Sequence, residues 1–151
     1  MISQRRPFTT EIHVKPIVIS IQPKWSRLIR SGAKTIELRR RFPRLPAGSW
    51  SYLYESSPTC SLTSLLRLGT IHELPIDELW RVHGKASCVE ESHFAKYFAG
   101  CIVGYGIEIA ECLALPGALR LSDLRLNLAF TAPQSWAYAT PKLLASVGLP
   151  T

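Results

Sequence analysis

A chain of 151 residues is enough for one ordinary domain, and its 46% hydrophobic content supplies a packed core, which excludes global disorder. Lysine and arginine number 18 against 11 acids, a formal charge of +7. No apolar run reaches the length of a membrane-crossing helix, and MISQRRPFTTEIHVK lacks the apolar stretch of a secretory signal, so a cytoplasmic location is expected.

The charge is segregated. Residues 1–44 hold eleven bases and two acids (Glu11, Glu37), whereas residues 45–151 hold seven bases and nine acids. Twelve of the eighteen bases are arginine, which forks onto phosphate better than lysine does. A basic third on a mildly acidic body suggests a surface that faces a polyanion. A solvated basic face with no partner is the plain alternative.

In chain order, residues 1–14 read as a flexible basic N-terminal arm and 15–151 as a single domain. Ile17 to Ile21 is a β-branched run, predicted to be a buried strand. Pro23 opens a predicted helix in which Trp25, Leu28 and Ile29 form an apolar stripe and Gly32 ends the last turn. Residues 35–39 alternate, with Ile36 and Leu38 opposite Glu37 and Arg39, and predict a strand. Trp50, Tyr52 and Tyr54 alternate in the next strand, and 61–72 supply another, weakened at Gly69. Pro75 leads a helix ended by Gly84, and 89–98 a second, with Phe94, Tyr97 and Phe98 on one side and Gly100 at its end. Residues 102–109 predict a strand in which Gly104 and Gly106 permit a bulge or a close backbone approach. A short helix near 121–126, a loop at Ala-Pro-Gln-Ser-Trp and a helix near 141–147 complete the chain. Strands without steady β-α alternation predict an α+β fold: a small, mostly antiparallel β-barrel with peripheral helices.

Cys60, Cys88, Cys101 and Cys112 form no C-x-x-C pair, and the four histidines form no H-E-x-x-H. Buried free thiols and no Cys/His metal cage are expected.

The stretch Gly32-Ala33-Lys34-Thr35-Ile36-Glu37-Leu38-Arg39 reads G-x-K-x-x-E-x-R and resembles the signature of the ASCH domain, a branch of the PUA-like superfamily. The similarity extends over about residues 16–140, through V-I-S-I-Q-P-K-W-S-R-L-I-R-S-G, R-R-R-F-P, Y-L-Y-E-S-S-P, E-L-W-R-V-H-G, F-A-K-Y-F-A-G, G-Y-G-I-E-I and P-Q-S-W. The resemblance implies a PUA-like β-barrel with a cleft between the helix at 23–31 and the barrel wall, lined by the signature residues. It also implies RNA binding, with hydrolysis of nucleic acid or of modified nucleosides in some members.

Physical chemistry agrees with a ligand cleft. Gly32 permits a sharp reversal where a side chain would crowd a ligand. Glu37 beside Lys34 and Arg39 orients both cations, and Arg39 can fork onto a phosphate or a base edge. A structural ion pair that only ties strand to helix is the alternative. Lys24, Arg27, Arg30, Arg40, Arg41 and Arg44 can follow a phosphate backbone, and Trp25, Trp50 and Trp136 can stack on a base, Trp50 being the one best suited to the core. Ser56, Ser57, Gln134 and Ser135 stand where strand ends meet loops and can hydrogen-bond a nucleotide or cap turns.

Two functions follow. One is a nucleic-acid-binding module that takes RNA or a modified or single-stranded nucleotide in a basic cleft. The other is a hydrolase acting on RNA or on a modified nucleoside, with Lys34 and Glu37 as its catalytic pair. The amidohydrolase-like members resemble G-x-K-T-x-T-x-R, with a hydroxyl where this chain has Glu37, so a hydroxyl nucleophile is missing at that slot. No cofactor is expected, although a nuclease leaves room for a divalent cation at Glu37.

Overall fold

The computed structural model describes residues 14–150, so all but the last residue of the expected N-terminal arm lies outside the described residues. Six strands form one sheet in the order β2-β5-β4-β3-β1-β6. They are β1 (Ile17–Ile21), β2 (Ile36–Arg39), β3 (Trp50–Glu55), β4 (Ser61–Pro75), β5 (Val103–Arg120) and β6 (Trp136–Tyr138). Every neighbouring pair is antiparallel except β1 with β3. Five helices surround it: α1 (Pro23–Ser31), α2 (Ile76–His83), α3 (Glu91–Tyr97), α4 (Leu121–Leu128) and α5 (Pro141–Val147). The expected α+β class and barrel-like sheet are therefore present, the sheet being a curled half-barrel.

The curl is visible in side chains that join opposite edges. Arg39, at the end of edge strand β2, donates to the Ser20 carbonyl of β1 at 2.8 Å and to Ser135 Oγ, just before edge strand β6, at 3.1 Å. Inside the curl Ile17, Ile19, Ile21, Leu53, Leu66, Leu68 and Ile107 pack with Ile29 of α1 and Phe42. On the outer face Val18, Tyr52, Tyr54 and Leu62 pack under Leu124 of α4 and Leu143 of α5. Strand β1 is thus covered on both faces, which is why it reads as an unbroken apolar run and not as an alternation. A third cluster, Ile36, Leu38, Leu79, Phe94 and Phe98, seats α2 and α3 against the β2 end.

The register through Ile36 and Leu38 has a consequence for the site. With those two committed to the third cluster, the period-2 geometry of the strand sends Glu37 and Arg39 to the opposite face, toward the mouth of the curl.

Local signals match well where a pattern was complete. Pro23 sits in the first turn of α1, and Gly32 takes the left-handed conformation after it, with φ +83°. Gly104 permits the close approach expected of it: a Cβ there would stand 2.5 Å from Phe98 and 2.9 Å from Leu79. Gly84 differs from expectation. It stays right-handed and passes the chain into a 3-10 turn, Lys85–Ser87, and it is glycine because a Cβ would meet Trp80 at 2.5 Å. The strand expected at 102–109 continues to Arg120, paired along β4 with several register shifts, and β6 begins at the last residue of the predicted loop, Trp136, and covers two residues for which the sequence predicted no element.

Candidate functional site

The mouth of the curl is a cleft of about 510 Å³ between α1, α3, β2 and the ends of β1 and β3. Its polar floor is Lys34, Glu37 and Arg39. Lys34 follows the Gly32 turn, and its backbone N–H donates to the Leu28 carbonyl, which folds the segment under α1. Its side chain is 2% exposed, and Nζ donates to the Ser87 carbonyl at 2.6 Å. The same Nζ lies 3.9 Å from Glu37 Oε2 and 5.0 Å from the centre of the Trp25 ring. Glu37 Oε1 lies 3.5 Å from Arg39 Nε. Ammonium, carboxylate and guanidinium therefore converge at the same end of the sheet.

Electrostatics there are uneven. Burial pulls the Lys34 ammonium below the usual 10.5, since a charged amine loses its hydration; Glu37 and Cys88 oppose that shift and Arg39 adds to it. Glu37 Oε2 and Arg39 Nε are buried without a hydrogen-bond partner among the described residues. Buried polar groups of that kind are rare in proteins and mark strain, catalysis or a binding partner.

The walls are largely apolar. Ile21, Trp25, Leu38 and Tyr54 approach from α1 and the sheet, and Val89, His93, Phe94 and Tyr97 from the α3 segment. Ser20, Gln22, Ser56, Pro133 and Gln134 close the remaining sides. Apolar walls with a few convergent charged groups are the usual make-up of a small-ligand site.

Of the site residues expected from sequence, Trp25, Lys34, Glu37, Arg39, Ser56 and Gln134 line this cleft. Ser135 does not line it but holds Arg39. Lys24 and Arg40 lie at the rim, each over an aromatic ring of the wall. Arg27, Arg41 and Ser57 are exposed and line no part of the cleft. Gly32 is also outside it, and a Cβ there would meet nothing within 4 Å; its left-handed φ, not a crowded ligand, is what calls for glycine. Trp136 is on β6, tilted over Phe42 and edge-on to Tyr138, and Trp50 packs beside the outer core. Arg30 and Arg44 are engaged by Glu55 and Glu73. The cleft is also lined by Ser20, Ile21, Gln22, Leu38, Tyr54, Val89, His93, Phe94, Tyr97 and Pro133, to which the sequence assigned no site role. His93 and Tyr97 had a usable signal: they stand four residues apart on a predicted helix, one turn of one face.

All four cysteines are free and half-buried, less buried than expected. Among the described residues no group of three or more His, Cys, Asp or Glu side chains is placed to hold a metal ion, and no helix is long and apolar enough to cross a membrane.

Fold and site together define a small barrel-like α+β domain whose open end is a charged ligand cleft. No family model matches the sequence. The chain is similar to an ASCH domain-containing ribonuclease of Zymomonas mobilis, 31% identical over 86 residues, which is 57% of this chain and 58% of that protein; the match thus spans little more than half of the relative's length. It superposes on a crystal structure of ASCH from Zymomonas mobilis with a TM-score of 0.79, at 26% identity, over 87% of this chain and 94% of that one. A protein of Rhodopseudomonas palustris solved by NMR shares the fold, with a TM-score of 0.53 at 12% identity over 89% of this chain and 90% of that one. In sequence and in fold, the chain is thus similar to ASCH domain proteins.

Proposed function

We propose that this domain binds single-stranded RNA and draws one nucleotide into the cleft at the mouth of the curled sheet. The observation that carries the reading is the cleft floor, where Lys34, Glu37 and Arg39 meet at 3.5 to 3.9 Å beneath apolar walls. Two cations and one carboxylate leave a net positive floor, suited to a ligand with phosphate and with polar base or ribose edges. The concentration of bases in residues 1–44 supports a polyanionic partner, and the name of the Zymomonas mobilis relative points to RNA. Purified protein should retard a labelled single-stranded RNA at low salt, with affinity falling steeply as salt rises. Arg39→Ala and Lys34→Ala should each weaken retardation at least tenfold. Full retardation by both variants would remove the cleft from the reading, and no retardation at low salt would remove RNA.

Catalysis is a second reading, favoured by the burial of Lys34. An amine pulled below its usual range has a larger neutral fraction and can accept a proton. In RNA cleavage by this route the 2′-hydroxyl of the bound nucleotide attacks its own 3′-phosphate, and its proton passes to Lys34 Nζ. The P–O5′ bond breaks, the 5′-oxygen takes a proton from water, and Arg39 stabilises the negative charge on the non-bridging phosphate oxygens. Wild type and Lys34→Ala are compared on the same RNA: loss of cleavage in the variant supports this reading, and equal cleavage by both excludes Lys34.

A further inference from the structure

We propose that the cleft is built for a nucleotide inside a strand, not for a free nucleoside or a strand end, and that Lys24 and Arg40 hold the phosphates on its two sides. The inference rests on the nucleic-acid reading of the cleft and specifies its substrate.

One rim of the cleft is a row of aromatic rings. Trp25 of α1 meets His93 of α3 edge to face, with ring centres 6.2 Å apart, and Tyr97 stands one turn further along α3. All three line the cleft. A cation sits over each end of this row. Lys24 Nζ lies 4.4 Å from the centre of the Trp25 ring, and Arg40 Cζ lies 5.3 Å from that of Tyr97. Both are within the reach of a cation–π contact.

Two features together set these cations apart from the basic residues nearby. Arg30 and Arg44 each face a carboxylate, at 2.6 and 3.1 Å, and the exposed Arg27 and Arg41, which face none among the described residues, lie over no aromatic ring. Lys24 and Arg40 are exposed and have no carboxylate partner among the described residues. Their charge is uncompensated, and the rings beneath limit where it can go. An aromatic face for a base with a cation beside it is the usual arrangement for single-stranded nucleic acid.

Size then separates the ligands. The Trp25–His93 spacing of 6.2 Å, followed by a helical turn of about 5–6 Å between side chains, gives a row longer than one nucleoside. A nucleoside reaches neither phosphate position, a nucleoside monophosphate reaches one, and only a strand with phosphate before and after the inserted nucleotide reaches both.

The test compares a single-stranded RNA pentamer with uridine 5′-monophosphate by calorimetry or competition, using wild type, Lys24→Gln, Arg40→Gln and the double variant. Both positions are exposed, and circular dichroism checks that the variants fold. Wild type is expected to bind the pentamer at least tenfold more tightly than the monophosphate. Each single variant should lose about threefold or more on the pentamer and less on the monophosphate. The salt slope for the pentamer should fall by roughly 0.7 for each cation removed. Equal affinity for pentamer and monophosphate in wild type overturns the strand-internal assignment while leaving nucleotide binding intact, and so does an unchanged salt slope in the double variant. Failure of wild type to bind either ligand overturns the RNA reading itself, and this inference with it.

Discussion

Replacing Lys34 by methionine and Glu37 by glutamine should change stability very unequally, although the two side chains face each other. At 3.9 Å and an effective dielectric near 20, the Lys34–Glu37 attraction is about 4 kcal/mol. Against it stands the cost of stripping water from an ammonium that is 2% exposed, several kcal/mol. Desolvation is the largest influence on Lys34 and its pKa is lowered, so the cost exceeds the gain. Methionine keeps the length of the side chain and its contact with Trp25 while removing the charge. It gives up the hydrogen bond to the Ser87 carbonyl, worth roughly 1.5–3 kcal/mol for a charged donor. Relief of the desolvation cost offsets that loss and the lost attraction, and Glu37 keeps Arg39 at 3.5 Å, so Lys34→Met should lie within about 2 kcal/mol of wild type. Glu37→Gln leaves Lys34 and Arg39 facing each other uncompensated and should cost roughly 3 kcal/mol or more. The assay is urea denaturation followed across pH. Below 10.5 the unfolded chain holds the Lys34 proton more tightly than the folded one. Wild-type stability relative to Lys34→Met thus rises with pH from the lowered folded value up to about 10.5. A Lys34→Met variant that loses more than Glu37→Gln, or a wild type that gains nothing relative to Lys34→Met over that pH range, would refute this balance.

Three further outcomes are expected. Gly104→Ala drives a Cβ to within 2.5 Å of the Phe98 ring and 2.9 Å of Leu79, so thermal melts should show a loss of roughly 1–3 kcal/mol; an unchanged midpoint would mean that α3 shifts freely. Burial pushes the Tyr52 phenol, which donates to the Gly148 carbonyl at 2.7 Å, up to about 12, and Tyr54 and Tyr105 are also raised, so in spectrophotometric titration Tyr52→Phe should remove one of the phenols that ionise after the ordinary range. A hydrogen bond from His72 at 2.7 Å is the main influence holding the Glu108 carboxyl below 4.5, so His72→Ala should raise the pKa of Glu108 when its side-chain carbon is followed by NMR; no change would assign the shift to the Thr70 N–H instead.

How much of this was legible in the sequence depends on where each element's stability comes from. Residues 17–39 were read nearly to the residue because their signals are local: a β-branched run, a proline at the helix start, a glycine at its end and an alternating strand. The second half of β5 had no such signal. Ala110–Arg120 includes Pro116 and Gly117, is mostly exposed and alternates poorly, and it is a strand because Ser61–Arg67 of β4 pairs with it. Strand β6 is three residues long, too short for a period to show, and exists by pairing with Ile17–Ile19. The site divides the same way. Lys34, Glu37 and Arg39 lie within six residues of one another and stood out as a motif. Tyr54, His93 and Pro133 reach the cleft from β3, α3 and the segment before β6, and only closure of the curl brings them together.

The same balance that sets the stability of Lys34 bears on why the cleft has this composition. A fold selected for stability alone gains little from a buried ammonium below its usual pKa, or from Glu37 Oε2 and Arg39 Nε left without hydrogen-bond partners. Those groups become favourable when a ligand supplies the missing partners, because a donor or acceptor in a dry cleft is worth more than the same contact in water. Ligand should therefore restore more to wild type than to a variant whose floor lacks the Lys34 charge. At a ligand concentration one hundred times its dissociation constant, binding stabilises the folded state by about 2.7 kcal/mol. Single-stranded RNA at that level should raise the melting temperature of wild type clearly and that of Lys34→Met much less, whatever the difference between the two without ligand. Equal shifts in both proteins would mean that the ligand is held elsewhere, and that the unpaired atoms of the floor are a cost of folding with no bearing on binding.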